Sequence, residues 1–493
     1  MLETVGKLYV RSKIQSLQKL RKKAIELQEK EWQHLMKSNK SADYVKQFGG
    51  AAKDYTTFAK SFPVVTYENI KPFIQRMMKG AQNVLCTAPV HYFSKSSGTT
   101  DVSKFIPVTK AAMFQGHFLA SRHLLASYFE RFPANRIFSG KHLVIGGSVK
   151  AIEGNAHALS GDVSALLTMQ IPAWIQRLRT PDLATALLPD WEEKLVAIAQ
   201  KTLHENVTGM SGVPSWSVEV LKKALEISGK KNISELWQNF ELFVHGGVSF
   251  HPYRAKFEAL VGKPLNYINA YNASEGFFAF SDTSNTNELL LLPAHGIFFE
   301  FRAVEQPHSI VPLEGVQKNI LYELIISTNS GLWRYALGDT IEFVSLHPFR
   351  FLIKGRTKQF INVTGEELMV HNAEKAIELT CQKLTCMVRE FSAAPLALSN
   401  GSFCHQWFIE FEMPPASIQS FAEELDAQLQ LLNSDYKAKR SGNFVLKQLE
   451  IISVPDSFFR KWLAKKHHLG AQHKIPRLSN DRKFADEFLK DLA

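Results

Sequence analysis

An α/β fold divided between a large N-terminal and a smaller C-terminal domain is predicted by three observations. The chain has 493 residues, too many for one ordinary core. Strand-like apolar runs alternate with amphipathic helical runs through its first half. Between Leu289 and Val344 the texture changes to short β-rich runs, and beyond about residue 355 it returns to a mixture. The expected domains are therefore 1–354 and 355–493. Hydrophobic residues make up 45% of the chain and charged residues 21%, which is the composition of a globular enzyme with no low-complexity tract.

Residues 1 to about 60 read as helical, with Lys, Glu and Gln between apolar positions and no proline before Pro63. Leu17, Leu20, Ala24 and Leu27 recur at helical spacing, so Arg21, Lys22 and Lys23 read as the solvated face of a packed helix. From Val84 an extended apolar stretch runs into a polar loop at Ser94 to Thr100. An amphipathic run from Thr109 to about Phe132 then predicts a helix, giving the order strand, polar loop, helix. Lys141 to Ile145 reads as a strand ending at Gly146-Gly147, and Gln200 to Gly229 as helix interrupted by a loop at 212–216. The runs Leu289–Leu292, Ile297–Phe301, Asn319–Thr328 and Thr340–Val344 predict a small meander or barrel. Helical runs near 372–384 and 415–432 belong to the smaller domain, which is expected to be α+β.

Several functional classes are disfavoured. The four cysteines, Cys86, Cys381, Cys386 and Cys404, are too sparse and irregular for a disulfide framework, so a reducing cytoplasm is expected. No apolar run approaches the ~18 residues a membrane span needs, and the first residues lack the order of a signal peptide. The net charge of +11 would attract polyanions. Much of the excess lies on the N-terminal helical face and between Arg460 and Arg477, so no nucleic-acid or membrane partner is expected. No Gly-Lys-Ser/Thr triplet, His-Glu-x-x-His or Gly-x-Ser-x-Gly occurs, and His91, His245 and His295 are scattered. Cys404-His405 reads as a buried thiol beside a polar neighbour.

Three short segments can carry chemistry. Ser94-Lys95-Ser96-Ser97-Gly98-Thr99-Thr100 packs five hydroxyls and one glycine into seven residues, followed by Lys104 and Pro107. Such a loop offers N–H and O–H donors to a polyphosphate, although a plain surface loop has the same composition. Tyr271-Asn272-Ala273-Ser274-Glu275-Gly276 puts an aromatic face for a purine beside a carboxylate suited to Mg²⁺, or simply ends a strand. Trp333-Arg334-Tyr335-Ala336-Leu337-Gly338-Asp339 joins aromatics to a turn glycine and an Asp that can accept from ribose hydroxyls.

In this order, and with Gly355-Arg356, Gly365-Glu366 and Glu374 after them, the segments resemble the core motifs of adenylate-forming enzymes. More closely, the whole chain resembles the Gretchen Hagen acyl acid amido synthetase family, known from plant auxin and jasmonate conjugation and from bacterial homologues. Gly161-Asp162-Val163-Ser164, Leu432-Asn433-Ser434-Asp435-Tyr436 and His473-Lys474-Ile475-Pro476-Arg477 also look like that family. A glycine common after the Ser/Thr run is absent, leaving Thr100-Asp101-Val102-Ser103-Lys104, and Gly276 stands where plant relatives often have Cys.

The resemblance implies the adenylate-forming, firefly luciferase-like fold, with a small mobile C-terminal domain. It implies an ATP site in which Ser96, Ser97, Gly98, Thr99 and Thr100 hold the phosphates, with the adenine near Gly246, Gly247 and Tyr271. Ser274 and Glu275 would lie beside the reacting phosphate, Glu275 with its Mg²⁺, and Asp339 would bind the ribose. Arg356 would mark the hinge, and Lys474 would be the catalytic lysine of the C-terminal domain. The implied reaction is adenylation of a carboxylic acid followed by transfer to an amine, an amino acid by family habit. A coenzyme A ligase shares the first half-reaction, and a nucleotide-binding regulator without turnover shares the binding site.

Overall fold

The structure is a computed structural model and describes residues 2–96, 104–247, 250–284, 287–356, 360–364, 366, 368–399, 402–440, 446–465 and 475–492. The chain separates into two compact units, Met1–Leu337 with Glu342–Leu352, and Gly338–Ile341 with Ile353–Ala493.

The first unit opens with helices Leu2–Arg11, Ile14–Lys22 and Ala24–Ser38. Leu17, Leu20 and Ala24 are buried, as their spacing predicts. Lys22 and Lys23 are exposed, but Arg21 reaches inward to Glu130 at 2.8 Å and to buried Asp282 at 3.2 Å. Gln28 fastens the third helix to the sheet: its amide donates to the carbonyls of Pro293 and Ile297 and accepts from the Phe299 N–H.

Strands β1 (Tyr92–Ser96) and β2 (Lys104–Val108) form an antiparallel hairpin with Ser96 opposite Lys104. A strand thus intervenes between the polar loop and the predicted helix, which begins as a π-helical turn, Ala112–His117, and continues as Phe118–Arg131. There follow β3 (Lys141–Val144), β4 (Val149–Ile152), β5 (Asn155–Gly161), β6 (Arg179–Thr180), β7 (Val207–Gly212), β8 (Leu242–Gly246) and β9 (Asn266–Ala273). Next come β10 (Gly276–Phe280), β11 (Leu289–Leu291), β12 (Ile297–Ala303), β13 (Ile310–Pro312), β14 (Leu321–Thr328), β15 (Tyr335–Leu346) and β16 (Phe349–Arg356). The predicted loop at 212–216 is shorter than expected, because Pro214 sits in the first turn of helix Pro214–Ser228, where its missing N–H costs nothing.

A four-stranded sheet has the order β2-β1-β5-β4, and a twelve-stranded sheet the order β13-β12-β14-β15-β16-β11-β10-β9-β8-β7-β3-β6. Strands β6, β3, β7, β8 and β9 are parallel. The turn at Ser274-Glu275 sends β10 back antiparallel to β9. The β-rich segment therefore continues the large sheet. Its strands β10, β11, β12 and β14 are buried at nearly every position, as strands covered on both faces must be.

In the second unit β17 (Phe360–Ile361) pairs with β18 (Leu368–Met369), and β19 (Met387–Ala397), β20 (Phe403–Met413) and β21 (Glu450–Val454) form a sheet in the order β19-β20-β21. The predicted helices are Val370–Leu384 and Ile418–Leu432. Side chains of β20 alternate between two cores. Trp407 and Ile409 pack with Ala376, Phe421 and Leu425, while Phe408 packs with Phe459, Trp462 and Phe488. Among the described residues no helix is long and apolar enough to cross a membrane.

Candidate functional site

Ligands of open α/β sheets bind beyond the carboxyl ends of the parallel strands, where the loops diverge. In the first unit those ends carry Gly146-Gly147 after β3, Gly212 at the end of β7, Gly246-Gly247 at the end of β8 and Ser274-Glu275 after β9. Gly246 lies opposite Ala270, and a Cβ there would meet the Ala270 carbonyl oxygen at 2.2 Å. Gly247 has φ +83°, a conformation that favours glycine. The glycine pair therefore lets the backbone turn at the rim of the sheet with no side chain in the way.

Two of the motifs meet at this rim. Ser94 on β1 is wholly buried, and its hydroxyl donates to that of Ser274 at 2.9 Å. Ser274 and half-buried Glu275 form the turn between β9 and β10. The Ser/Thr-rich loop leaves β1 at Ser96 and re-enters the sheet at Lys104, so its two ends are neighbours in the hairpin. Ser97, Gly98, Thr99 and Thr100 lie outside the described residues, as does the side chain of Ser96. The Lys104 ammonium lies 5.7 Å from the centre of the Tyr67 ring, whose hydroxyl accepts from the Phe105 N–H. Tyr271 is half-buried and stands edge-on to Phe278 and Phe351, with ring centres 4.9 and 6.3 Å away.

Two charged residues at the same rim were not among the sequence candidates. Gly161, the last residue of β5, pairs with Ser94, which puts Asp162 next to the Ser94–Ser274 contact in the chain. Lys194 is buried and donates to the carbonyls of Gly146 at 3.1 Å and Gly147 at 2.8 Å. Burial raises the Asp162 carboxyl to about 6 against the opposing charges of Lys194 and Lys95, and burial lowers the Lys194 ammonium to about 8 against the pull of Asp162. A signal for Lys194 exists in the sequence: with Trp191, Leu195 and Ile198 it shares the one buried stripe of helix Trp191–Thr202.

The Trp333–Asp339 motif divides into two parts. The Trp333 indole donates to the Leu85 carbonyl at 2.9 Å. Arg334 is buried against Glu300 and also donates to the carbonyls of Ala59 and Phe62, so both residues pin the first unit together. Gly338 and Asp339 do not form the expected turn. They lie within β15, where φ of +79° at Gly338 bends the strand and Asp339 is buried.

In the second unit Arg356 ends β16, and its side chain lies outside the described residues. The Glu366 carboxylate is buried, accepts from the amide and hydroxyl of Thr364, and lies 2.9 Å from His405 Nε2. Cys404 is buried, as expected for a thiol that simply neighbours His405 in sequence. Lys474 lies outside the described residues, but the chain just after it is fixed along β19. The Ser392 hydroxyl donates to the Pro476 carbonyl at 2.6 Å, the Ala393 N–H donates to the Arg477 carbonyl, and Arg477 pairs with Glu390 at 2.9 Å.

Comparisons with known proteins agree with this architecture. The GH3 family N-terminal domain matches residues 13–152 and 147–266, the GH3 central domain 290–356, and the GH3 C-terminal domain 371–483. Jasmonoyl–L-amino acid synthetase JAR6 of Nicotiana attenuata is 24% identical over 97% of this chain and 95% of its own length. Indole-3-acetic acid-amido synthetase GH3.3 of Arabidopsis thaliana is 23% identical over 92% of this chain and 89% of its own. The solved structure of the AtGH3.15 acyl acid amido synthetase in complex with 2,4-DB superposes with a TM-score of 0.82 at 19% identity, covering 98% of this chain and 96% of that one. The fold is also that of 2-hydroxyisobutyryl-CoA ligase, with a TM-score of 0.61 at 11% identity, covering 94% of this chain and 91% of that one. With the N-terminal, central and C-terminal domains of the family matched in order, the chain belongs to the GH3 family, the Gretchen Hagen family of acyl acid amido synthetases.

Proposed function

We propose that the protein is an ATP-dependent ligase that joins a carboxylic acid to an amine, an amino acid being the acceptor class of the named relatives. The single observation that carries this reading furthest is the Ser94–Ser274 hydrogen bond, which brings the strand of the hydroxyl-rich loop to the Ser274-Glu275 turn at the carboxyl edge of the parallel strands.

A carboxylate is a poor electrophile, and its oxygen becomes a leaving group by attack on the α-phosphate of ATP, with release of pyrophosphate. The amine then attacks the acyl carbon and AMP departs. The barrier to the first step is repulsion between anions. In this proposal the loop residues Ser96, Ser97, Gly98, Thr99 and Thr100 donate to the phosphates, Tyr271 and Gly246-Gly247 border the adenine, Asp339 accepts from the ribose, and Arg356 stands at the hinge. Ser274 donates beside the reacting phosphate, and Lys474 supplies a cation to it. Glu275 fits a Mg²⁺ ligand, because that ion takes one or two carboxylates and completes its shell with phosphate and water, where it offsets phosphate charge. We place the enzyme in the cytoplasm, which its free thiols support.

ATP–pyrophosphate exchange with Mg²⁺ and a panel of carboxylic acids tests the reading. Acid-dependent exchange is expected, reduced about 10²–10³-fold in Lys474→Ala, the usual effect of losing one well-placed electrostatic donor. Supplying amino acids or coenzyme A then separates amide from thioester formation, the second reading that the ligase-like fold supports. ATP binding without exchange for any acid would replace both with a nucleotide-binding regulator.

A further inference from the structure

Four observations converge on Asp162, a residue that the proposed adenylation step leaves without a role. It follows Gly161, the strand partner of Ser94, whose hydroxyl holds Ser274. It occupies the N-cap position of helix Val163–Met169, yet its side chain makes no capping hydrogen bond, the ordinary reason for an Asp there. Its carboxylate is turned instead onto Gly147 and the Ser148 N–H, which donates to it, so closely that a Cβ on that glycine would lie 1.0 Å from Asp162 Oδ2. Behind the glycine pair, Lys194 directs its hydrogen bonds to the two backbone carbonyls, so it acts on Asp162 through its charge. Lys194 on its helix and Lys95 on β1 are the charged groups acting on this carboxyl. The result is a carboxylate at the rim of the site, raised by burial on one side and drawn back toward the ionised form by two lysines and the Ser148 N–H on the other.

We propose that Asp162 receives the ammonium group of the acceptor amine and removes its proton for attack on the acyl-adenylate. This deepens the ligase reading and rests on it. An amino acid arrives as an ammonium ion, which has no lone pair to offer. Asp162 takes one proton, and the nitrogen lone pair forms the C–N bond as the bond from the acyl carbon to the AMP oxygen breaks. The second proton passes to water, and Asp162 re-ionises. An anionic receptor also favours a cationic amine over coenzyme A, whose phosphates it repels.

The two half-reactions separate the test of Asp162 from the test of the ligase reading. Asp162→Asn should retain acid-dependent ATP–pyrophosphate exchange while amide formation from amino acids falls about 10²–10⁴-fold, the usual range for a general base. Hydroxylamine, largely neutral at pH 7, needs no base, so the variant should still form hydroxamate. The acid limb of the amide-forming step, expected near pH 6 in the native protein, should vanish in Asp162→Asn and survive in Asp162→Glu. In Lys194→Met it should move to higher pH, because removing a positive neighbour makes the carboxyl harder to ionise. Unchanged amide formation in Asp162→Asn, or equal losses with amino acid and hydroxylamine, would overturn the proposal. Absence of exchange in the native protein would overturn the ligase reading instead.

Discussion

The hydroxyl of Ser94 donates to that of Ser274 across 180 residues of sequence, and both residues are buried, Ser94 wholly so. A buried hydroxyl that loses its partner forfeits solvation as well as the bond, so each single alanine variant leaves the other oxygen stranded. Ser94→Ala and Ser274→Ala should each lower the exchange rate, and the double variant should cost less than the sum. A double-mutant cycle on stability and on exchange reads the difference, expected at about 1 kcal/mol. Strict additivity would mean that the contact does not join the two motifs.

Arg334 is a structural member of a motif that also contains a site candidate. Its guanidinium meets Glu300, which accepts a further bond from the Tyr55 hydroxyl, and both charges are nearly inaccessible. Burial pushes the Glu300 carboxyl up against the opposing pull of Arg334. Removing one partner leaves an uncompensated buried charge, which typically costs about 3–5 kcal/mol. Arg334→Met should therefore lower the unfolding midpoint sharply in denaturant titration while leaving KM for ATP unchanged below the transition. A stable variant with weakened ATP binding would instead make Arg334 a ligand contact.

The ends of β3 at Gly146-Gly147 and of β9 at Ser274-Glu275 were legible because each is a local signal, an apolar run that stops at glycines or polar residues, whereas Gly246-Gly247 followed only from the family resemblance. The α/β class followed from hydrophobic periodicity. What failed was non-local. Strand β2 escaped notice because Pro107 reads as a breaker, yet β2 is the edge of its sheet, where a missing N–H is tolerated. Gly338 suggested a turn around Asp339, whereas here it is a strand glycine at positive φ within β15. Lys194 escaped notice because the two carbonyls that satisfy it come from the glycine pair after β3, which is remote from it in the chain. Neither the Ser94–Ser274 bond nor the place of Asp162 beside it can be read before the sheets are paired.

Glu366 gives the second unit a defined response to acid. Burial alone would raise its carboxyl, but hydrogen bonds from His405 and Thr364, with the attraction of His405, outweigh that and hold it at about 2. A depressed carboxyl stabilises the fold above its unfolded value, here 4.5, and loses that contribution as pH falls through the folded one. Stability of the second unit should thus decline as pH falls from 4.5 to about 2. Near-ultraviolet circular dichroism of native protein and Glu366→Gln across this range checks it. The variant should be less stable at neutral pH and show a flatter acid response; parallel curves would remove Glu366 from the account.

Gly246 and Gly229 separate the two uses of glycine in this chain. Gly229 ends helix Pro214–Ser228 at φ +66°, with nothing within 4 Å of the place a Cβ would take, so Gly229→Ala should cost about 1 kcal/mol of stability and no activity. Gly246 is part of a strand, but a Cβ there would strike the Ala270 carbonyl, which belongs to the β9 backbone and cannot swing aside as a side chain would. Gly246→Ala must therefore part β8 from β9 at the end that leads to Tyr271 and Ser274. Displacement of a positioned group by about an ångström can cost about 10²-fold in rate, so exchange activity should fall far more than stability. Equal losses in both quantities would reduce Gly246 to a packing residue and take the adenine away from this edge of the sheet.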